Sequence, residues 1–302
     1  MTIHSADLRR PVSLRRSWLF TSGIDKRALK DALDSGADVL VPDLEEFTPP
    51  ADRPLARLRV AALMARCRAK GMVAAVRINR ISSDDAKFDL EAVMPSAPDV
   101  IFLPYVESAD EITMLAQMLD TFEARLGYMT GSTEIVPTIE SALGFVRIQN
   151  ILTASRRIHA CLLAAEDLTA DLGAERGPDS LELNHLRSRF HVECRAAGRV
   201  AIDCPFNYRD LEALEADLAW ARRIGMKAKC TVFPEHVAPI HAAFTPSASD
   251  AAHAKDLVTR FEAARRGEPT SGTPVDGPDY HTARRLLARD TEFRTWTAQA
   301  RT

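Results

Sequence analysis

The sequence has little of what marks several common protein classes. Only 13 of its 302 residues are glycine, aromatic residues make up 6%, and the five cysteines include no CxxC pair. Few glycines and no GxGxxG motif argue against a phosphate-cradling loop of the dinucleotide-binding type. An odd number of widely spaced cysteines argues against a disulfide framework or a zinc ribbon, and favours reduced thiols in the cytosol.

The chain also lacks a strong charge of either sign and a long hydrophobic run. Its net charge is −3 and its pI is about 6.3, so no basic field is available for nucleic acid or an anionic membrane. No apolar run approaches the roughly 18 residues of a membrane span. The arginine-bearing start has no apolar signal-peptide core, and we interpret it as a polar arm, with a transit peptide as the alternative. We expect a cytoplasmic protein that binds neither nucleic acid nor membrane.

What the sequence does have is a repeated alternation of short apolar runs and longer helical patterns. Eight β-rich runs begin near positions 17, 38, 72, 99, 133, 157, 199 and 227. They are continuously apolar, as expected for strands that are buried on both faces of a parallel sheet. Eight strand–helix units predict an α/β fold of the (β/α)8 TIM-barrel type, and a doubly wound open sheet is the alternative.

The pattern changes after the eighth unit. Helical spacing predicts helices over 247–266 and, after a loop rich in glycine and proline, a short helix over 280–288. We therefore divide the chain into a polar arm (1–16), a (β/α)8 barrel (17–245) and a C-terminal helical extension with a lid-like loop (246–302). The extension is expected to act as a packing clamp or as a lid, able to reach a neighbouring subunit.

Polar residues follow most predicted strands at their carboxyl ends, where enzymes with this fold keep their active sites. They are Asp43, Glu45, Glu46, Arg77, Asn79, Glu107, Glu140, Glu166, Asp167 and Asp203. Each acid alone is also typical of a helix cap, but their recurrence at one end of the barrel favours a site. Several acids around one arginine suggest a divalent cation, and carboxylate oxygens suit Mg2+.

Other chemistries lack their residues. No HExxH or GxSxG motif is present, and no lysine ends a strand where a Schiff base would need it. Metal-assisted handling of a carbanion or enolate is the chemistry that remains.

Several short motifs resemble a known family in their order and spacing. They are RSWLFTSG (16–23), GAD (36–38), DLEE (43–46), VRIN (76–79), LPYVES (103–108), IESA (139–142), AEDL (165–168) and AID (201–203). The resemblance is to the citrate lyase beta-subunit-like proteins of the HpcH/HpaI aldolase superfamily, which include malyl-CoA and citramalyl-CoA lyases.

The resemblance implies a magnesium-dependent carbon–carbon lyase. Such an enzyme cleaves or forms a 3-hydroxyacyl thioester, such as malyl-, citramalyl- or citryl-CoA, with an acyl thioester and an oxo acid as the other reactants. Coenzyme A thioesters are thus the implied substrates, and Mg2+ is the implied cofactor.

The resemblance also assigns roles to residues. Glu140 and Asp167 match the magnesium ligands, and Arg77 matches the arginine that binds the oxo acid and polarises the reacting oxygen. An acidic cluster matches the residues that hold the arginine and metal-bound waters, with Asp43 and Glu46 as catalytic residues and Glu45 as a substrate-binding residue.

A further role in catalysis falls outside the predicted barrel. Asp276 matches the acid/base that one subunit of the family presents to the next, which implies a homo-oligomer, either a trimer or a hexamer.

The sequence departs from the family at positions near the thioester. Tyr105 stands where the family has lysine, and Phe233 stands where it has histidine. The alternatives are therefore a CoA-independent 2-oxo acid aldolase, a malyl-CoA thioesterase, or a barrel without catalysis that serves as a scaffold or ligand sensor.

Overall fold

Eight short parallel strands pair in chain order, and the eighth pairs with the first to close a barrel. The computed structural model describes residues 9–299. The strands are β1 (Ser17–Ser22), β2 (Val39–Asp43), β3 (Val73–Arg77), β4 (Val100–Leu103), β5 (Glu134–Ile139), β6 (Ala160–Leu163), β7 (Val200–Asp203) and β8 (Ala228–Thr231). The predicted (β/α)8 barrel with a C-terminal helical extension is confirmed, and the doubly wound sheet is excluded.

Helices surround the barrel and form the extension. They are α1 (Lys26–Asp34), α2 (Arg53–Ala69), α3 (Asp84–Val93), α4 (Ala109–Leu126), α5 (Ala142–Val146), α6 (Ile148–Thr153), α7 (Glu166–Asp171), α8 (Asn184–Ala196), α9 (Leu211–Ile224), α10 (Val237–Phe244), α11 (Ala248–Arg265) and α12 (Gly277–Gln299).

Two predicted helices have the wrong extent. The single helix expected over 141–153 is two helices, because Arg147 at φ −99° and ψ 6° interrupts it. The short last helix over 280–288 is instead the 23-residue α12. No glycine or proline follows Pro278 to end α12, and Pro278 itself lies in the first turn, where a missing N–H costs nothing.

Alternation along the strands divides the barrel interior from the helix layer. The interior core includes Trp18 and Phe20, whose rings both make edge contacts with Phe102 at centroid distances of 5.6 and 5.2 Å. Because side chains two apart share a face, the inward face of β2 that begins with Val39 and Val41 ends in Asp43. The inward face of β3 likewise ends in Arg77, at the carboxyl end of the barrel.

Arginines of the described part of the N-terminal arm pair with acids at the amino ends of the strands. Arg15 makes two hydrogen bonds to Glu134, at 2.6 and 2.8 Å, and Arg16 makes two to Asp38, at 2.8 and 2.9 Å. Burial alone would raise the pKa of Glu134, but the hydrogen bonds and charge of Arg15 outweigh it and lower that pKa. The arginines of the arm are therefore structural ion-pair partners.

Two compact units make up the chain, one ending at His241 and the other beginning at Ala242. In the second unit, α11 and α12 pack against each other. The Phe261 and Tyr280 rings stack at 4.3 Å, and the Tyr280 hydroxyl donates to Glu262 at 3.1 Å. Within residues 9–299, every helix is too short or too polar to cross a bilayer.

All five cysteines are free thiols and all are buried: Cys67, Cys161, Cys194, Cys204 and Cys230. Burial raises the pKa of Cys67 to about 12 and that of Cys204 to about 11.

Candidate active site

Arg77 is held at the carboxyl end of the barrel by a two-pronged ion pair. The register of β2 and β3 places Asp43 beside it, and Arg77 Nε and Nη2 donate to Asp43 Oδ1 and Oδ2 at 2.8 and 2.6 Å. Asp43 is fully buried and also accepts the backbone N–H groups of Glu45 and Phe47. The guanidinium is thus fixed in orientation. Burial lowers the pKa of Arg77, but the charge and hydrogen bonds of Asp43 outweigh it and raise that pKa, so the side chain is always charged.

Two further acids complete the surroundings of Arg77. Glu46 Oε2 lies 3.0 Å from Nη2, and Glu45 Oε2 lies 3.5 Å from Nη1. Burial is the main cause that raises the pKa of Glu45; the charge of Arg77 opposes it and that of Asp43 adds to it. The structure therefore brings together Arg77 and the three acids of the DLEE segment.

Glu140 follows β5 and is the most strongly perturbed acid of this site. It is 4% exposed, and its Oε1 has no hydrogen-bond partner among the described residues. Burial raises its pKa to about 8; the charge of Arg77 opposes this rise, and the charges of Glu45 and Asp167 add to it. A buried carboxylate oxygen without a donor is costly, and a cation would relieve that cost.

Asp167, in the first turn of α7 after β6, is the second acid that the sequence assigns to a metal. Its side chain is exposed, and its charge is close enough to raise the pKa of Glu140. Within residues 9–299, no group of three or more His, Cys, Asp or Glu residues is placed to hold a metal. Magnesium commonly takes one or two carboxylates and completes its shell with water and substrate oxygens. The donor set and the unpartnered oxygen of Glu140 therefore fit Mg2+.

Asp203 ends β7 but belongs to a different cluster. Its carboxylate accepts two hydrogen bonds from Arg187, at 2.8 and 2.6 Å, and one from Lys229 at 2.8 Å. Both cations also contact Asp217 of α9, each at 2.7 Å. Burial alone would raise the pKa of Asp203, but the charges of Arg187 and Lys229 lower it far below its usual value. This network joins β7 and β8 to α8 and α9 and is structural.

Three other polar strand ends make local contacts. Glu107 accepts the hydroxyl of Ser141 at 2.7 Å, and Glu166 accepts the Asn207 amide at 2.6 Å. Asn79 donates to the Leu44 carbonyl at 2.9 Å and so ties the ends of β2 and β3 together.

Asp276 lies in the C-terminal unit. Its carboxylate accepts the backbone N–H of Asp279 at 2.8 Å and so caps the start of α12. Its assignment as an acid/base stays a prediction.

Sequence reasoning gave no site role to three residues at this end of the barrel, Thr138, Arg80 and Tyr105, although it noted Tyr105 as a departure from the family. Thr138 is 1% exposed, and its hydroxyl has no hydrogen-bond partner among the described residues. Thr138 precedes Glu140 by two residues, so the alternation of side chains along a strand could have placed it on the same face as Glu140. Tyr105 has a left-handed backbone, with φ 55°, and the guanidinium of Arg80 lies over its ring at 3.6 Å. No local sequence pattern predicts this backbone conformation.

Comparison with known proteins places this geometry in a family. Residues 16–234 match the model of the HpcH/HpaI aldolase/citrate lyase family. The chain belongs to the HpcH/HpaI aldolase/citrate lyase family. The resemblance that the motifs predict is thereby confirmed.

Named relatives within this family agree. The chain is 30% identical to the citrate lyase subunit beta of Haemophilus influenzae, over 92% of this chain and 97% of that protein. It is 25% identical to the mitochondrial citramalyl-CoA lyase of Homo sapiens, over 82% of this chain and 76% of that protein. The prediction of a carbon–carbon lyase is confirmed by the family and by these relatives.

A solved structure of the family shares the fold. CitE from Mycobacterium tuberculosis, in complex with magnesium, acetoacetate and coenzyme A, superposes with a TM-score of 0.72 and 26% identity. The match covers 93% of this chain and 100% of that chain.

Proposed function

We propose that the protein is a magnesium-dependent lyase that cleaves, or forms, a 3-hydroxyacyl thioester from an acyl thioester and an oxo acid. One observation carries this proposal: an oriented, permanently charged Arg77 and the buried, unpartnered oxygen of Glu140 both lie at the same end of the barrel. The magnesium and coenzyme A in the CitE complex support the same cofactor and thioester here.

Glu140 and Asp167 are the residues that would hold Mg2+. When bound, the ion supplies a Lewis acid that stabilises negative charge on substrate oxygens. Its two positive charges would also remove the repulsion between these two carboxylates.

Arg77 supplies the guanidinium for the oxo acid. Its Nε and Nη2 are occupied by Asp43, whereas Nη1 has only the longer contact to Glu45, at 3.5 Å. Nη1 is therefore the donor for the substrate, and Asp43 acts as a positioning residue. A pre-oriented cation of this kind stabilises an oxyanion without reorganisation during the reaction.

The proton transfer is assigned to Asp276. In the condensation direction, Asp276 removes a proton from the α-carbon of the acyl thioester, and that carbon forms a bond to the carbonyl carbon of the oxo acid. The carbonyl electrons move to oxygen, where Arg77 stabilises them and solvent supplies a proton. Cleavage is the reverse, and Asp276 then returns the proton to the α-carbon. We propose a homo-oligomer, a trimer or hexamer, in which this residue comes from a neighbouring chain.

A single assay separates this function from its alternatives. The purified protein is incubated with Mg2+ and malyl-, citramalyl- or citryl-CoA, while oxo acid and free thiol are measured separately. A lyase releases oxo acid without free thiol, whereas a thioesterase releases free thiol without oxo acid. A CoA-independent aldolase cleaves the free hydroxy acid instead. Absence of oxo acid with all three thioesters, or equal rates in EDTA, would contradict the proposal.

A further inference from the structure

Arg80 is a second cation at the carboxyl end of the barrel, on the loop that follows β3. Its guanidinium carbon lies 3.6 Å from the centroid of the Tyr105 ring. Its positive charge also acts on Glu45, where it opposes the rise in pKa that burial causes. Arg80 therefore lies close to the acids that surround Arg77.

The backbone of Arg80 is fixed on both sides. On one side, Asn79 is anchored by its side chain to Leu44 and Asp89. On the other side, the Arg80 carbonyl accepts the backbone N–H and the hydroxyl of Ser83, at 2.9 and 2.8 Å. The side chain thus extends from a rigid base, as a specificity residue requires.

Tyr105 connects Arg80 to the metal-binding acid. Its left-handed backbone, at φ 55°, is costly for a bulky residue. The next residue, Val106, donates its backbone N–H to the Thr138 carbonyl of β5 at 3.1 Å, which holds Tyr105 beside the strand end that leads into Glu140, while the Tyr105 ring carries Arg80. The backbone N–H of Tyr105 also lowers the pKa of Glu140. Tyr105 therefore lies in space between Glu140 and the Arg80 guanidinium.

The charges around Arg80 leave it available to a ligand. Among residues 9–299, no carboxylate forms a salt bridge with Arg80, unlike Arg77, which contacts three. The five acids of the site, Asp43, Glu45, Glu46, Glu140 and Asp167, exceed the charge of Arg77 and one Mg2+ together. A substrate with two negative groups would be repelled at this end of the barrel without a further cation.

We propose that Arg80, supported on the Tyr105 ring, determines specificity by binding the distal carboxylate of a dicarboxylic oxo acid. The inference rests on the proposed function and names the substrate class of the same site. The flat guanidinium presents a planar N–H edge that matches a carboxylate in two parallel hydrogen bonds. The phosphates of a coenzyme A thioester are separated from the reacting carbon by the whole pantetheine arm. Arg80, by contrast, is separated from Glu140 only by Tyr105. The distal group of the oxo acid is thus the nearer anion.

The test uses two stable ligands that differ only in that carboxylate. Malate and lactate are 2-hydroxy acids that mimic a dicarboxylic and a monocarboxylic oxo acid. Their affinities are measured by calorimetry on the full chain with saturating Mg2+. Arg80→Ala should weaken malate by about tenfold or more, the size expected for a lost charge-assisted hydrogen-bond pair. Its affinity for lactate should change by less than about twofold, because lactate has no group for Arg80 to bind.

Matched variants separate the charge from its support. Arg80→Lys keeps the charge but not the planar fork, and it should recover only part of the malate affinity. Tyr105→Phe keeps the ring and should resemble wild type, whereas Tyr105→Leu should weaken malate but not lactate. Arg125→Ala removes an exposed arginine at the far end of α4 and should change neither affinity. Melting temperatures establish that each variant is folded.

The outcomes are distinct. Unchanged malate affinity in Arg80→Ala, with wild type binding both acids, overturns this inference and leaves the proposed function intact. The same calorimetry is made with coenzyme A and with pantetheine. If Arg80→Ala weakens the binding of coenzyme A but not of pantetheine or malate, this inference is overturned and Arg80 is assigned to the phosphates. If wild type binds neither acid in the presence of Mg2+, the proposed function fails and this inference fails with it.

Discussion

Glu140 is a residue whose buried carboxylate, suited to bind a cation, lowers the folding stability of the metal-free protein when it is ionised. An acid whose pKa is raised in the folded state holds its proton more tightly there than in the unfolded chain. Its stabilising contribution is therefore present below the unfolded value, near 4.5, and is lost as pH rises through about 8. Metal-free protein should lose stability across this window because the carboxylate must ionise without a partner.

The variant Glu140→Gln tests this cost. Because glutamine is a neutral isostere, the metal-free variant should be more stable than wild type by a few kcal/mol at pH 9, since each pKa unit is worth about 1.4 kcal/mol. The two proteins should converge near pH 4.5. Urea unfolding in EDTA at pH 5, 7 and 9 measures the difference, and Mg2+ should stabilise wild type alone. A difference that is independent of pH contradicts the expectation.

Arg77 is the residue whose geometry cannot be copied by another cation. Lysine could keep one hydrogen bond to Asp43 but not the two that fix the guanidinium. We expect Arg77→Lys to lower kcat/KM by about 10² to 10³, or roughly 2–4 kcal/mol, which is the usual cost of one removed oxyanion donor. Steady-state kinetics measure this loss, with the melting temperature as the folding control. Near wild-type turnover would show that Arg77 serves the structure only.

The alternation of inward and outward side chains along the strands explains which parts of the site could be predicted from the sequence. Asp43 and Arg77 share the inward face of their strands with apolar core residues. Asp203 also ends a strand, but it follows the inward Ile202 and therefore points toward the helices, where Arg187 meets it. An acid at the end of a strand should therefore be assigned to a site only if it shares the inward face of that strand. The left-handed backbone of Tyr105, at φ 55°, is one that a bulky residue rarely adopts, so no local pattern predicts it.

At the scale of elements, the network around Asp203 is a polar connection between β8 and α9 outside it. Lys229 contacts both Asp203 and Asp217 and is 1% exposed. Lys229→Met should lower the free energy of unfolding by about 3–5 kcal/mol, because it leaves buried acids with one cation fewer. The affinity for Mg2+ should stay the same. The exposed Lys87 of α3 provides the control, since Lys87→Met should change stability by less than about 0.5 kcal/mol.

The N-terminal arm is a second element whose contribution can be measured. Arg15→Met would leave Glu134 with a weaker pairing inside the barrel. We expect a loss of about 3–5 kcal/mol in unfolding free energy at pH 7. Because the pKa of Glu134 is lowered in the fold, its stabilising contribution is present above the unfolded value and is lost as pH falls through the folded one. The gap between the variant and wild type should therefore narrow in acid. A gap that is constant between pH 7 and pH 3 would argue against this ion pair.

At the scale of the whole molecule, the question is whether one chain completes the site of another. Asp276 belongs to the C-terminal unit, and Glu140 to the first unit. If Asp276 acts in a neighbouring subunit, mixing Asp276→Asn chains with Glu140→Ala chains should restore part of the activity, because some hybrid sites are intact. Each variant alone should be inactive. Confirmed subunit exchange without recovered activity would place Asp276 in its own subunit or outside catalysis.

The choice of asparagine at position 276 keeps the structure of the loop intact. Asp276 caps α12 through the Asp279 N–H, and asparagine caps a helix about as well as aspartate does. Asp276→Ala would also remove the cap, at a cost of about 1 kcal/mol. Equal activity loss with asparagine and alanine therefore points to the charge, and a loss with alanine alone points to the cap.

The buried cysteines make the native chain a convenient host for fluorescent labels. Maleimides react with accessible thiolates, and all five native thiols are buried. Burial also raises the pKa of Cys67 to about 12 and that of Cys204 to about 11, so these two offer almost no thiolate at neutral pH. A single cysteine introduced at an exposed site, such as Leu58→Cys on α2, where the leucine is 70% exposed, would take up a dye with all five native cysteines in place. Donor-labelled and acceptor-labelled batches would then report chain exchange by energy transfer, on the protein used for the mixing experiment.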